Sequence, residues 1–135
     1  LYEIRAVLAE HAGEKVAKRV TDADKALLIE YVERMEVYAE KLDLETYYPI
    51  NLEFHTVLMD LTGNPRLSET YTNMDNELRL FRQRAMLRSD GLKTSNAEHR
   101  EIVDRICAGD VQGAGAAMRR HVVAGKERGQ LAIEE

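Results

Sequence analysis

Apolar residues recur along this chain at the three- and four-residue spacing of a helix face, and no stretch alternates like a strand between hairpin turns. With only 2 prolines and 8 glycines as punctuation, the chain reads as all-α. A first helix covers roughly Leu1 to Val20, with Leu1, Ile4, Leu8, Ala12 and Val16 on one face. Thr21 then opens a cap, and Asp24 three residues on puts negative charge into a new first turn. The second helix reaches about Lys41, with Leu27, Leu28, Tyr31, Val32, Met35 and Tyr38 inward. Asp43 can cap a third helix that carries Tyr47, Ile50, Phe54, Val57, Leu58 and Leu61. Pro49 lies about one turn into it, which predicts a kink or a later start.

Gly63-Asn64-Pro65 is a strong boundary, because Gly closes a helix in the left-handed conformation and Pro fits the first turn of the next. The fourth helix is expected to run to about Arg88, with Leu67, Tyr71, Met74, Leu78 and Phe81 inward. Ser89 to Thr94 reads as a loop, and Ser95 to Glu98 as a capping box that starts a fifth helix. That helix stops near Gly109-Asp110. A sixth carries Val111, Ala114, Met118 and Val122 and frays toward Glu135. The expected architecture is one domain over residues 1–135, an antiparallel bundle of about six helices joined by short connections.

A chain of 135 residues suits one compact core, and 44% hydrophobic with 32% charged residues is the composition of a soluble globular domain. No apolar run approaches a membrane span, and Leu1 opens directly into a helical pattern rather than a signal peptide. The net charge of -5 argues against this chain alone gripping nucleic acid, which needs a basic face. Cys107, the single cysteine, cannot form an internal disulfide and sits between Ile106 and Ala108 as a small hydrophobe. Cytoplasmic residence is the simplest expectation.

His55, His99 and His121 fall inside apolar stripes on three different helices. Asn51 precedes His55 by one turn, about 6 Å along the axis. His99 lies about 14 Å before the Gly109-Asp110 turn and His121 about 17 Å after it, so the two imidazoles sit at similar heights on antiparallel neighbours. The third helix can bring Asn51 and His55 from across the bundle. Three imidazoles and an oxygen ligand suit zinc, nickel, cobalt or manganese. A single inward histidine is more often a core residue than a ligand; three are a rarer coincidence. His11, without a paired ligand at helical spacing, reads as structural or surface. Arg5 lies on the face of Leu1 and Leu8, where a cation needs an anion. It reads either as a snorkelling side chain or as an anchor for a carboxylate. In the basic run of Arg79, Arg82, Arg84 and Arg88, the first two flank the inward Leu78 and Phe81 and are the candidate ligand residues.

Asn51-Leu52-Glu53-Phe54-His55, with Leu58 and then Gly63-Asn64-Pro65-Arg66-Leu67, resembles the central motif of the FCD domain. That is the C-terminal effector domain of the FadR subfamily of GntR transcription regulators. Ala97-Glu98-His99-Arg100-Glu101-Ile102 with Ala108-Gly109-Asp110 resembles its second motif, and Met118-Arg119-Arg120-His121 its third. The opening Leu1-Tyr2-Glu3-Ile4-Arg5 is similar to its first helix. The resemblance implies a helical bundle with a central cavity. It implies a divalent metal, zinc first, held at Asn51, His55, His99 and His121. It further implies a small organic acid beside the metal, contacted at Arg5, which changes the DNA affinity of an N-terminal winged helix. A homodimer is implied as well. Two departures stand out. Asn51 replaces the family's usual aspartate, and no winged helix precedes Leu1, so the chain looks like a fragment that meets DNA only through an absent domain.

The leading expectation is therefore a sensor, not an enzyme, and its effector a hydroxy-, keto- or sugar acid. A small helical metalloenzyme acting on an organic acid is the alternative, against which no general base stands beside the histidines. A purely structural dimerisation bundle is the third reading.

Overall fold

The computed structural model describes residues 2–87 and 91–134. They form seven helices: α1 Tyr2–Arg19, α2 Asp22–Glu40, α3 Leu44–Asp60, α4 Pro65–Glu77, α5 Arg79–Met86, α6 Gly91–Cys107 and α7 Val111–Glu134. The all-α expectation holds, with one helix more than the six expected.

Most boundaries follow local chemistry. Thr21 Oγ1 accepts from the Asp24 N–H at 3.1 Å while the Asp24 carboxylate accepts from the Thr21 N–H at 3.0 Å, a complete capping box for α2. Asp43 caps α3 through the Thr46 N–H, and Asn64 caps α4 through the Leu67 N–H with Pro65 at the helix start. Gly63 and Gly109 both take φ of 70°, as the two helix ends require. α3 starts at Leu44 and contains Pro49, so the expectation of a later start fails; Asp43 sets the start.

Two expected elements are corrected. The fourth helix does not run on to Arg88 but breaks at Leu78 (φ -97°, ψ 7°). The break lets α5 turn onto α7, where Phe81 lies over Gly129 so closely that a Cβ there would stand 2.1 Å from the ring. Ser95 and Glu98 do not start a helix, because α6 already begins at Gly91. Both side chains are spent elsewhere, Ser95 on Tyr47 and Glu98 on His121 and Arg128. Of the expected loop, Gly91 to Thr94 is helical; Ser89 and Asp90, like Arg88, Leu1 and the terminal Glu135, lie outside the described residues.

α1 packs along α7 and α2 along α3 and α6, while α6 and α7 form the antiparallel pair expected from the Gly109-Asp110 turn. Where α1 meets α7 the faces are small: Ala9, Ala12 and Gly13 against Ala114 and Ala117. A Cβ on Gly13 would stand 2.7 Å from the Ala114 carbonyl oxygen, so the backbones approach too closely for larger residues. This displaces the stripe expected for the first helix. Ile4 is exposed, and the buried face runs through Arg5, Ala9, Ala12, Gly13 and Val16. Leu27 is likewise exposed while Leu28 is buried. The core proper is built from Leu28, Met35, Tyr47, Phe54, Leu58, Met59, Tyr71, Ile102, Ile106 and Met118. Among the described residues no helix is long and apolar enough to cross a membrane.

Candidate metal centre and anion pocket

α3 presents Asn51 and His55 on one face, α6 presents His99, and α7 presents His121; all four side chains are buried. One ligand atom from each imidazole lies within 4.8 Å of the others. The ring centroids are 5.1 Å apart for His55 and His99, 5.3 Å for His55 and His121, and 4.7 Å for His99 and His121. The three histidines expected to meet do meet.

Their outer hydrogen bonds orient them. Asn96 donates Nδ2–H to the Val32 carbonyl at 3.2 Å, which leaves its Oδ1 facing His99. His99 Nδ1 donates to that oxygen at 3.2 Å, so its Nε2 carries a free lone pair. His121 Nδ1 donates to Glu98 Oε1 at 2.6 Å, and Arg128 grips the same carboxylate with bonds of 2.7 and 2.9 Å. Its Nε2 is likewise bare. Such carboxylate-backed imidazoles are a regular feature of metal sites.

Polar atoms at the centre are left without partners. His55 Nε2 faces His99 Nε2 at 3.2 Å, and His55 Nδ1 has no hydrogen bond. Neither Oδ1 nor Nδ2 of Asn51 has one either. An unsatisfied buried polar group costs about 1–3 kcal/mol. Whichever nitrogen of His55 carries the proton, one lone pair or N–H stays unmet. A divalent cation among the three Nε2 atoms would satisfy the imidazoles and offer Asn51 Oδ1 a partner, so these residues fit a metal ion.

Electrostatics point the same way. Burial holds His55 and His99 well below the ordinary histidine range, and neighbouring imidazoles and arginines add to it. Burial also lowers His121, against the opposing pull of Glu98. All three rings are neutral, the form that binds metal. Burial alone would raise the Glu98 carboxyl, but the bonds from His121 and Arg128 outweigh it and hold the group below its usual value.

Beside His121 lies a cavity of ≈ 20 Å³, lined by Tyr2, Arg5, Arg82, Met86 and Arg128 among others. It has room for about one water molecule. Arg5 is buried and finds its anion inside the protein: its Nε donates to Asp75 Oδ1 at 2.7 Å. Its guanidinium also stands over the rings of Tyr71 and Tyr2, at 5.1 and 5.6 Å. Arg82 Nη1 pairs with the other Asp75 oxygen at 3.3 Å, a contact without hydrogen-bond geometry. Arg79, the remaining expected ligand residue, is exposed at the start of α5 and does not line the cavity.

Three residues of the candidate site escaped the sequence reading. Asp75 follows the inward Tyr71 by one turn, and Arg128 follows His121 by two, so helical spacing carried both signals. Glu98 was visible only as a cap.

Residues 1–124 match the family model described as the FCD domain. The chain belongs to the FCD domain family. Over 81 residues this FCD domain is 34% identical to an "Uncharacterized HTH-type transcriptional regulator in unstable DNA locus" of Streptomyces ambofaciens. That alignment covers 60% of the chain and 34% of the relative. The solved structure of "Streptococcus agalactiae GntR" superposes with a TM-score of 0.79 at 25% identity, over 93% of this chain and 56% of that one. The FCD domain thus spans about a third of the curated relative and little more than half of the solved chain.

Proposed function

We propose that this FCD domain is the effector-sensing part of a bacterial GntR-type transcription regulator. In this reading it holds one divalent ion, zinc first, with nickel, cobalt or manganese as alternatives, and a small organic acid beside it. The observation that carries the reading is the buried cluster of three neutral imidazoles, with the unpartnered Asn51 amide beside it and an arginine-lined cavity adjoining it. A bound ion would supply a Lewis-acidic anchor for a carboxylate. Arg82, whose Nη1 meets Asp75 without hydrogen-bond geometry, would take the same anion, and Arg5, fixed by Asp75, would line its wall. A hydroxy-, keto- or sugar acid matches this donor set.

The curated relative is described as an HTH-type transcriptional regulator and the solved structure as a GntR, and both are much longer than this chain. DNA binding therefore belongs, in this proposal, to an N-terminal winged helix in a longer cytoplasmic chain that acts as a homodimer. The effector would shift the bundle between conformations with different DNA affinity. A metalloenzyme is the weaker reading, because the carboxylates nearest the histidines and cavity, Glu98 and Asp75, are both held in ion pairs and neither is free as a general base.

Elemental analysis of the purified domain after zinc loading tests the centre. One equivalent is expected, and loss of it in His55→Ala, His99→Ala and His121→Ala variants. Protein that takes up none of the four metals would refute the proposal.

A further inference from the structure

Asp75 is an acid in an unfavourable place. It stands in the last turn of α4, where the helix carbonyls gather negative charge and a carboxylate is ordinarily disfavoured. It is buried there, and its two oxygens meet guanidiniums from two other helices. Arg5 of α1 donates Nε–H to Oδ1 at 2.7 Å and is held further by the rings of Tyr71 and Tyr2 beneath it. Arg82 of α5 meets Oδ2 at 3.3 Å, without hydrogen-bond geometry. The bridge is therefore firm toward α1 and loose toward α5. Just past Asp75 the helix breaks. The Leu78 N–H is shared between the Met74 and Asp75 carbonyls, each at 3.2 Å, and α5 starts there without a side-chain cap.

We infer that Asp75 is a latch: it holds Arg82, and with it α5, against the bundle, and an external carboxylate opens the cavity by taking Arg82 away from it. This adds an internal competitor to the proposed sensor reading and rests on that reading. Arg82 is the side that yields, because it meets Asp75 without a hydrogen bond and sits on a helix of 8 residues. Arg5 keeps its bond to Asp75, so the buried carboxylate retains a counter-charge when α5 swings. A carboxylate anchored in the fold competes at a local concentration that a free acid has to exceed. The apparent affinity for the acid is thus lowered by the fraction of molecules in which Arg82 is released. The latch sets the threshold of the response, and weakening it lowers that threshold.

The test removes the latch and asks whether the arginines then accept an outside carboxylate. Acetate is the probe, and the domain is kept free of metal so that only the guanidiniums answer. Acetate affinity is read from the rise in melting temperature with concentration. Asp75→Ala should bind acetate at least tenfold tighter than the unaltered domain, and the Asp75→Ala, Arg82→Gln double variant should lose that gain. Amide hydrogen exchange in residues 79–86 should be at least tenfold faster in Asp75→Ala without acetate. If Asp75→Ala lacks a helical spectrum, Asp75→Asn carries the same test, since it keeps the shape and removes the charge. Acetate affinity equal in the unaltered domain and the variant, or exchange in α5 unchanged, would overturn the latch. Zinc uptake by the unaltered domain, measured alongside, decides the sensor reading separately. Zinc bound with no gain in acetate affinity removes the latch alone. A gain in acetate affinity in protein that takes up no metal removes the sensor reading and leaves Asp75 as the competitor for Arg82.

Discussion

Glu98 bonds the nitrogen of His121 that faces away from the other two imidazoles, and Arg128 holds its carboxylate in place. The carboxylate thereby fixes which His121 nitrogen keeps its lone pair and raises the basicity of that nitrogen. Glu98→Gln keeps the shape but removes the charge and can turn an N–H toward the ring. Zinc affinity should fall roughly 10–100-fold, read by chelator competition, while the helical spectrum stays intact. Asp75 has the opposite kind of role, since it neutralises Arg5 inside the protein. Asp75→Asn leaves two buried guanidiniums without their anion and should cost about 3–5 kcal/mol in urea unfolding. A loss below about 1 kcal/mol would mean that water already screens the pair.

At the scale of elements, the α1–α7 contact and the short α5 have different strengths. α1 and α7 meet through Ala and Gly faces with no room between the backbones. A helical Gly→Ala change ordinarily stabilises by about 0.4–1 kcal/mol through the unfolded state. At Gly13 the sign should reverse, because the new methyl would meet the Ala114 carbonyl at 2.7 Å. Overpacking of this sort costs about 1–3 kcal/mol, measurable as a lower urea midpoint. α5 is only 8 residues long, begins at the Leu78 break and has no side-chain cap. It supplies Arg82, Ala85 and Met86 to the cavity wall. A space of ≈ 20 Å³ cannot admit an organic acid unless this wall moves. Zinc with a bound carboxylate should therefore change amide hydrogen exchange in residues 79–86 far more than in α2. Equal protection in both would show that α5 is not the moving wall.

For the whole molecule, folding buries three neutral imidazoles and ties the Glu98 carboxylate to His121 and Arg128, and the signs add. The histidines have folded-state values below the ordinary value of 6.5, so the unfolded chain takes up protons that the metal-free folded chain refuses. Stability is full above that value and falls as the pH drops through it, by about 1.4 kcal/mol per pH unit per histidine and up to about 4 for three. Glu98, also lowered, adds its own loss when the pH falls through its ordinary value near 4.5. A urea midpoint that stays flat from pH 7 to 5 in metal-free protein would contradict this. Much of the molecule was legible in its sequence. Caps and left-handed glycines act within one turn, so Thr21, Asp43, Gly63 and Asn64 announced their helix ends unaided. Helical spacing placed His99 and His121 at one height and Asn51 one turn from His55. The break at Leu78, the start of α6 at Gly91 and the outward Ile4 were not legible. Each depends on how closely another helix approaches: Phe81 over Gly129, Gly91 against the Ala85 carbonyl, α1 against α7. Local rules dictate where a helix can begin. Only packing decided that Ser95 and Glu98 would spend their side chains across the bundle, and that the anion for Arg5 would be Asp75, because those partners lie 48, 23 and 70 residues away and meet only when the core closes.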